Sequence, residues 1–284
     1  MWFAYAVPDP NRPFRWDLVR PDQLGTLLEG TGKPDLWFLD DLVACAAKIL
    51  ARCDDGDLYF VGRSLDSAFD LLGGALASTS WHDRIRQVPL STFGFGGWAG
   101  ELRPAEITQL RTNLADAGLT PERLTSRRPV VLVDLVSTGG TYETLYRELR
   151  AWVADERRSW DVAKKKLRFL GVTSQEKTSP NTWRWQQRAD WTSELAVKNI
   201  SLDRGIYSYF AGQQHKLSRS FLRWIWADER ARDPLHDDRT RQALAEAVAV
   251  VEAGRASGSD LVRHITREPT MREPWLRALV SELN

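Results

Sequence analysis

An unbroken apolar run, Val130 to Val133, opens after Pro129 and closes on one carboxylate, Asp134; a turn of hydroxyls and glycines follows. Continuous rather than alternating hydrophobicity marks a strand buried on both faces, which in turn requires a parallel sheet covered by helices on each side. A proline is tolerated at the first residue of such a strand, where an N–H is dispensable. Beyond it, Ser137, Thr138, Gly139, Gly140 and Thr141 combine hydroxyl donors with backbone free to curl its N–H groups toward an anion. The next residues carry Leu145, Leu149, Trp152 and Val153 at helical spacing, so the turn feeds a helix N-terminus and its positive dipole. A carboxylate and an anion cradle therefore meet at the carboxyl end of a buried strand, the edge of an open α/β sheet where ligands bind. The lysine of a Walker loop is missing, which argues against an ATPase.

This segment, VDLVSTGGT from Val133 to Thr141, resembles the ribose-phosphate motif of the type I phosphoribosyltransferases. The family pattern has two acids, two apolar residues and a Thr-Gly-Gly-Thr type turn. Here the first acidic position is Val133, and only the second acid, Asp134, is kept. The resemblance implies binding of 5-phosphoribosyl-1-pyrophosphate (PRPP). Asp134 would hold the ribose hydroxyls, and Ser137, Thr138, Gly139, Gly140 and Thr141 would hold the 5′-phosphate. Read without the resemblance, the stretch is an ordinary strand–turn–helix.

A second strand–loop–helix lies upstream, with Leu58 to Val61 as strand, Gly62, Arg63 and Ser64 as loop, and Phe69, Leu72 and Ala75 as the apolar stripe of a helix capped by Ser64 or Asp66. In the resembled family a loop at this place binds pyrophosphate, and the donor fork of Arg63 together with the Ser64 backbone suits that role. The bland alternatives are a surface arginine paired with Asp66 or Asp70, and Asp66 as a simple helix cap. Between the two loops, residues 91–103 carry Phe93, Phe95 and Trp98 among glycines, as a lid over the site or as a loop tucking aromatics into the core.

The coarse order predicted is a cap or edge segment over 1–33, a helix over 36–51, and strands over 58–61, 84–90, 130–133, 164–173 and 194–200. Helices are expected over 104–117, 141–156 and 239–252, with a break at 254–258 and a final helix pair. Alternating strands and helices give an α/β fold, a mainly parallel sheet flanked by helices, of the type I phosphoribosyltransferase kind. Residues 34–212 form its core with a hood, and 213–284 a helical extension that packs on the core, makes a homodimer contact or narrows the acceptor pocket. In the hood, Tyr207, Tyr209 and Phe210 either stack on a planar acceptor, whose identity the sequence leaves open, or pack the hood itself. The chain holds 13 tryptophans, most simply as core, including Trp183, Trp185, Trp191, Trp224 and Trp226.

The net charge of +1 gives no bulk electrostatic case for nucleic-acid or membrane binding. Cys45 and Cys53 lack metal-type spacing and fit a reducing compartment. The first ten residues lack a basic region and are broken by prolines, unlike a signal peptide, and no apolar run approaches the roughly 20 residues of a membrane span. A soluble, cytoplasmic protein is expected, working with Mg²⁺ held mainly through PRPP.

On the resemblance, the activity is phosphoribosyl transfer to a small-molecule nucleophile with release of pyrophosphate. Two other classes stay open. One is a non-catalytic protein that senses PRPP or a nucleotide, favoured by the loss of the acid at Val133. The other is a serine hydrolase with Ser64 as nucleophile, Asp134, and His215 or His264. There, however, the second glycine of a nucleophile elbow is replaced by Asp66, and the Gly-Gly turn has no role.

Overall fold

The computed structural model describes residues 16–91, 102–178, 184–218, 220 and 237–284. The lid or loop expected over 91–103 falls almost wholly outside them, as do Trp183, Trp224 and Trp226. The described chain runs α1 (Leu39–Arg52), β1 (Asp57–Val61), α2 (Asp66–Ala75), β2 (Ile85–Val88), α3 (Pro104–Asp116), α4 (Pro121–Leu124) and β3 (Val130–Leu135). It continues with α5 (Gly140–Asp155), α6 (Trp160–Lys166), β4 (Leu167–Ser174), β5 (Ala196–Leu202) and α7 (Arg204–Ser208). The last helices are α8 (Asp238–Ala256), α9 (Gly258–Ile265) and α10 (Pro274–Leu283).

Five strands form one sheet in the order β2-β1-β3-β4-β5, and every pairing is parallel. The β3 run explains why. Val131 and Val133 enter one core with Leu58, Phe60, Leu170 and Val172, under α1, α2 and the C-terminal helices. Val130 and Leu132 enter the other with Tyr59, Val61, Leu167 and Phe169, under α3 to α6. Both sides of the strand are dry, so alternation in the sequence has nothing to report.

Three elements depart from expectation. Lys164, Lys165 and Lys166 finish α6 rather than opening β4, which begins at Leu167. Straight-chain lysines are good helix formers, and their charge complements the dipole of a last helical turn. Gly254 does not break α8, which continues to Ala256. Instead α8 crosses α2 with Gly254 against the Leu71 carbonyl and Gly74 against the Val251 carbonyl; a Cβ at either would collide with backbone. The strand expected from residue 84 starts at Ile85, because 82–84 form a 3₁₀ turn.

The C-terminal extension wraps the first core, α8 on α2 and α9 on α1. Trp16, Leu18 and Leu24 of the N-terminal segment pack on Leu217, Leu244 and Val251 of that extension. No described helix is long and apolar enough to cross a membrane.

Candidate functional site

The sheet order reverses at one place. β1 leads through α2 to β2 on one side, while β3 leads through α5 to β4 on the other. Helix α2 lies on the first core and α5 on the second. The carboxyl ends of β1 and β3 form such a switch point, where open α/β sheets place their ligand crevice. The two strands are direct neighbours, with Phe60 opposite Val133, so Val61 stands beside Asp134. Adjacent strands lie about 4.8 Å apart. The loop bearing Arg63 and Ser64 and the 137–141 turn thus leave from adjoining positions.

Each exit is shaped by one left-handed glycine. Gly62, at φ +69°, turns the chain off β1, and its N–H donates to the Val88 carbonyl at 2.9 Å. Gly139, at φ +87°, is the N-cap of α5. A Cβ on Gly139 would stand 2.5 Å from the ring of Trp185. That indole is anchored by its Nε1 donating to Asn199 Oδ1 at 2.7 Å, and it packs against Tyr142 and Trp191. Tyr142 in turn donates to the Leu170 carbonyl at 2.9 Å, clamping the first turn of α5 to the sheet. Gly139 is therefore required by packing as well as by backbone conformation. Gly140 differs: a Cβ there would meet only Thr138 Oγ1, at 4.0 Å.

Neither helix has a side-chain cap at its N-terminus. Uncapped N-termini leave several N–H groups unsatisfied and favour anions. Asp66, expected as a cap, is instead buried, and its Oδ1 accepts from Gln87 Nε2 at 2.6 Å; Leu65 holds the N-cap position. Arg63 is half-buried rather than a surface residue. Its Nη1 donates to the Ser218 carbonyl at 2.8 Å, and partial burial lowers its pKa from the ordinary value, with Asp66 acting in the opposite direction.

Asp134 is 8% exposed. Burial raises its pKa from 3.8 to about 8, against a smaller opposing pull from the Leu135 N–H, which donates to Oδ1 at 2.7 Å. Among the described residues no basic side chain contributes to this shift. A carboxyl buried at a strand end by desolvation is a functional-site candidate on physical grounds. The Tyr207 hydroxyl lies beside that of Ser137, which sets the turn against the segment after β5.

The three hood aromatics part company. Tyr207 lies half-buried at the site. Tyr209 donates to Glu246 Oε2 at 3.0 Å and packs edge-on against Trp37. Phe210 is a core residue, 1% exposed against Phe38, and presents no open face to a planar ligand. Among the tryptophans, Trp185 is buried and Trp191 is stacked on Tyr146.

Among the described residues Asp134 has no hydrogen bond to a histidine, and His264 sits on α9 near Lys48 and Arg263. His215 shares a depression with Asp66 and Ser67 of the first turn of α2.

Sequence reasoning missed five contributors. Trp185 carried no signal beyond its residue type. Lys216 and Ser218 lay in a segment read only as extension. The hydroxyls of Thr173 and Ser174, at the end of β4 beside β3, are buried without a hydrogen-bond partner. A buried hydroxyl left unpaired costs about 1–3 kcal/mol, which water or a ligand at the sheet end would offset. No group of three His, Cys, Asp or Glu side chains suited to a metal occurs among the described residues. Compared with protein-family models, curated proteins and solved structures, the chain finds no match.

Proposed function

We propose that this protein has the type I phosphoribosyltransferase fold, binds PRPP or a related ribose 5-phosphate compound with Mg²⁺, and transfers the phosphoribosyl group to a small-molecule nucleophile. The single observation that carries the reading is the adjacency of β1 and β3, each ending in a glycine-shaped turn and an uncapped helix N-terminus. Two anion-seeking turns flank one carboxyl, matching a sugar with phosphate at one end and diphosphate at the other.

In this scheme the 137–141 turn holds the 5′-phosphate, and Arg63 with the Ser64 backbone holds the diphosphate. Asp134 is the one carboxyl of the assigned set, which suits Mg²⁺ bound chiefly through ligand oxygens and water. The C1–O bond to diphosphate breaks, its electron pair leaving on pyrophosphate, while the nucleophile forms the new bond to C1. Asp134, protonated at neutral pH in the free chain, gives up its proton when the Mg²⁺-loaded ligand brings positive charge beside it; the carboxylate then orients the ribose hydroxyls, opposes the positive charge developing on the sugar and takes the nucleophile's proton.

A non-catalytic PRPP sensor is the second reading, and one observation favours it. Val133, at the position of the missing acid, is fully buried in the first core and supplies nothing to the crevice. Calorimetry with PRPP and Mg²⁺ tests the shared part, and pyrophosphate release across a panel of nucleophiles separates the two. Binding with no release from any nucleophile favours the sensor; absence of PRPP binding removes both.

A further inference from the structure

The C-terminal extension does more than cover the first core. Residues 214–218 lie along the β1–α2 loop and exchange cation–carbonyl bonds with it. Arg63 Nη1 donates to the Ser218 carbonyl at 2.8 Å, and Lys216 Nζ reaches back toward the Ser64 carbonyl at 3.4 Å. The lysine is placed by its neighbours. Its Nζ donates to Gln214 Oε1 at 2.6 Å, and Gln214 Nε2 donates to Ser67 Oγ at 2.7 Å and Glu246 Oε1 at 2.5 Å.

Two cations from distant parts of the chain, Arg63 of this four-residue loop and Lys216 of the extension, thus meet at the N-terminus of α2, which has no side-chain cap. The Ser218 hydroxyl beside them is 1% exposed and has no hydrogen-bond partner among the described residues. The nearby carboxylates accept from neutral donors among their partners: Asp66 from Gln87, and Glu246 from Tyr209 and Gln214. Asp70 borders the same depression. Charge balance for these acids would account for a lysine somewhere nearby, though not for its ammonium being drawn to the Ser64 carbonyl.

From this convergence we infer that Lys216 is a second diphosphate-binding cation beside Arg63, so that the C-terminal extension forms part of the ligand site. The inference rests on the PRPP reading and deepens it. A diphosphate carries charge on two phosphoryl groups, and two separately anchored cations can each meet one of them. A ligand with phosphate only at the 137–141 turn has nothing for Lys216 to hold.

The test is calorimetric titration of the full chain with three probes, each with Mg²⁺: ribose 5-phosphate, inorganic pyrophosphate and PRPP. Wild type is compared with Lys216→Met and Lys216→Arg, the fold of each checked by thermal melting. Lys216→Met is expected to weaken pyrophosphate and PRPP roughly 10- to 100-fold, the scale of one charge-assisted hydrogen bond. Ribose 5-phosphate should bind as to wild type, and Lys216→Arg should recover most of the loss. Unchanged pyrophosphate and PRPP affinity in Lys216→Met overturns the role of Lys216 while leaving the PRPP reading intact. Equal loss of all three probes overturns it too, since it assigns the lysine to structure alone. A wild type that binds none of the probes removes the PRPP reading itself.

Discussion

Replacing Asp134 by Asn changes almost nothing in shape and removes one buried ionisable group, so its effect on stability can be worked out. The carboxyl titrates near pH 8 in the folded chain, against an ordinary value of 3.8. A carboxyl whose folded value is raised stays protonated between those limits, while the unfolded chain releases its proton. Stability from this group is therefore full below about pH 4 and falls as pH rises, levelling only above the folded value. The slope for one proton is at most about 1.4 kcal/mol per pH unit, so up to about 2.7 kcal/mol is lost between pH 5 and 7. Urea unfolding of both proteins at pH 5, 6 and 7 isolates the group, because every other titration cancels in the difference. Wild type should lose ground to Asp134→Asn steadily across that range, and the variant should be the more stable protein at pH 7. Parallel stability curves would show that Asp134 is solvated or paired, and the desolvation argument would fail.

The two glycines of the turn should behave differently. Gly139→Val drives a side chain into Trp185 from a left-handed backbone and should cost at least about 1–3 kcal/mol in urea unfolding. Gly140→Val enters open space and should stay within about 1 kcal/mol of wild type, yet block approach of the 5′-phosphate and abolish ribose 5-phosphate binding by calorimetry. Tyr207→Phe removes the hydroxyl beside Ser137 and should weaken ribose 5-phosphate affinity several-fold by calorimetry. A phosphate affinity untouched by Gly140→Val would place the anion elsewhere.

Strand positions and the parallel sheet were legible because burial on both faces writes itself into composition: Val130 to Val133 can hardly be anything else. The two strand–turn–helix exits were legible for the same reason, each marked by a glycine that only a turn requires. What the sequence could not convey was how side chains divide between local and distant duties. Asp66 sits where a cap belongs, yet it turns to Gln87 on the next strand. Gly139 looks like a residue kept for a ligand, but its neighbour is an indole 46 positions later in the chain. Gly254 reads as a helix stop until α2 is laid across it. Lys216 and Ser218 meet Arg63 only because the extension folds back over α2, a contact that no periodicity encodes.

Hydrogen exchange of the full chain, with and without PRPP and Mg²⁺, puts the joint grip of the two strand ends to the most direct test. One saturating ligand should slow amide exchange both in residues 62–67 and in residues 137–142, with the same concentration dependence. Protection at only one of these segments, or at neither, would contradict the account.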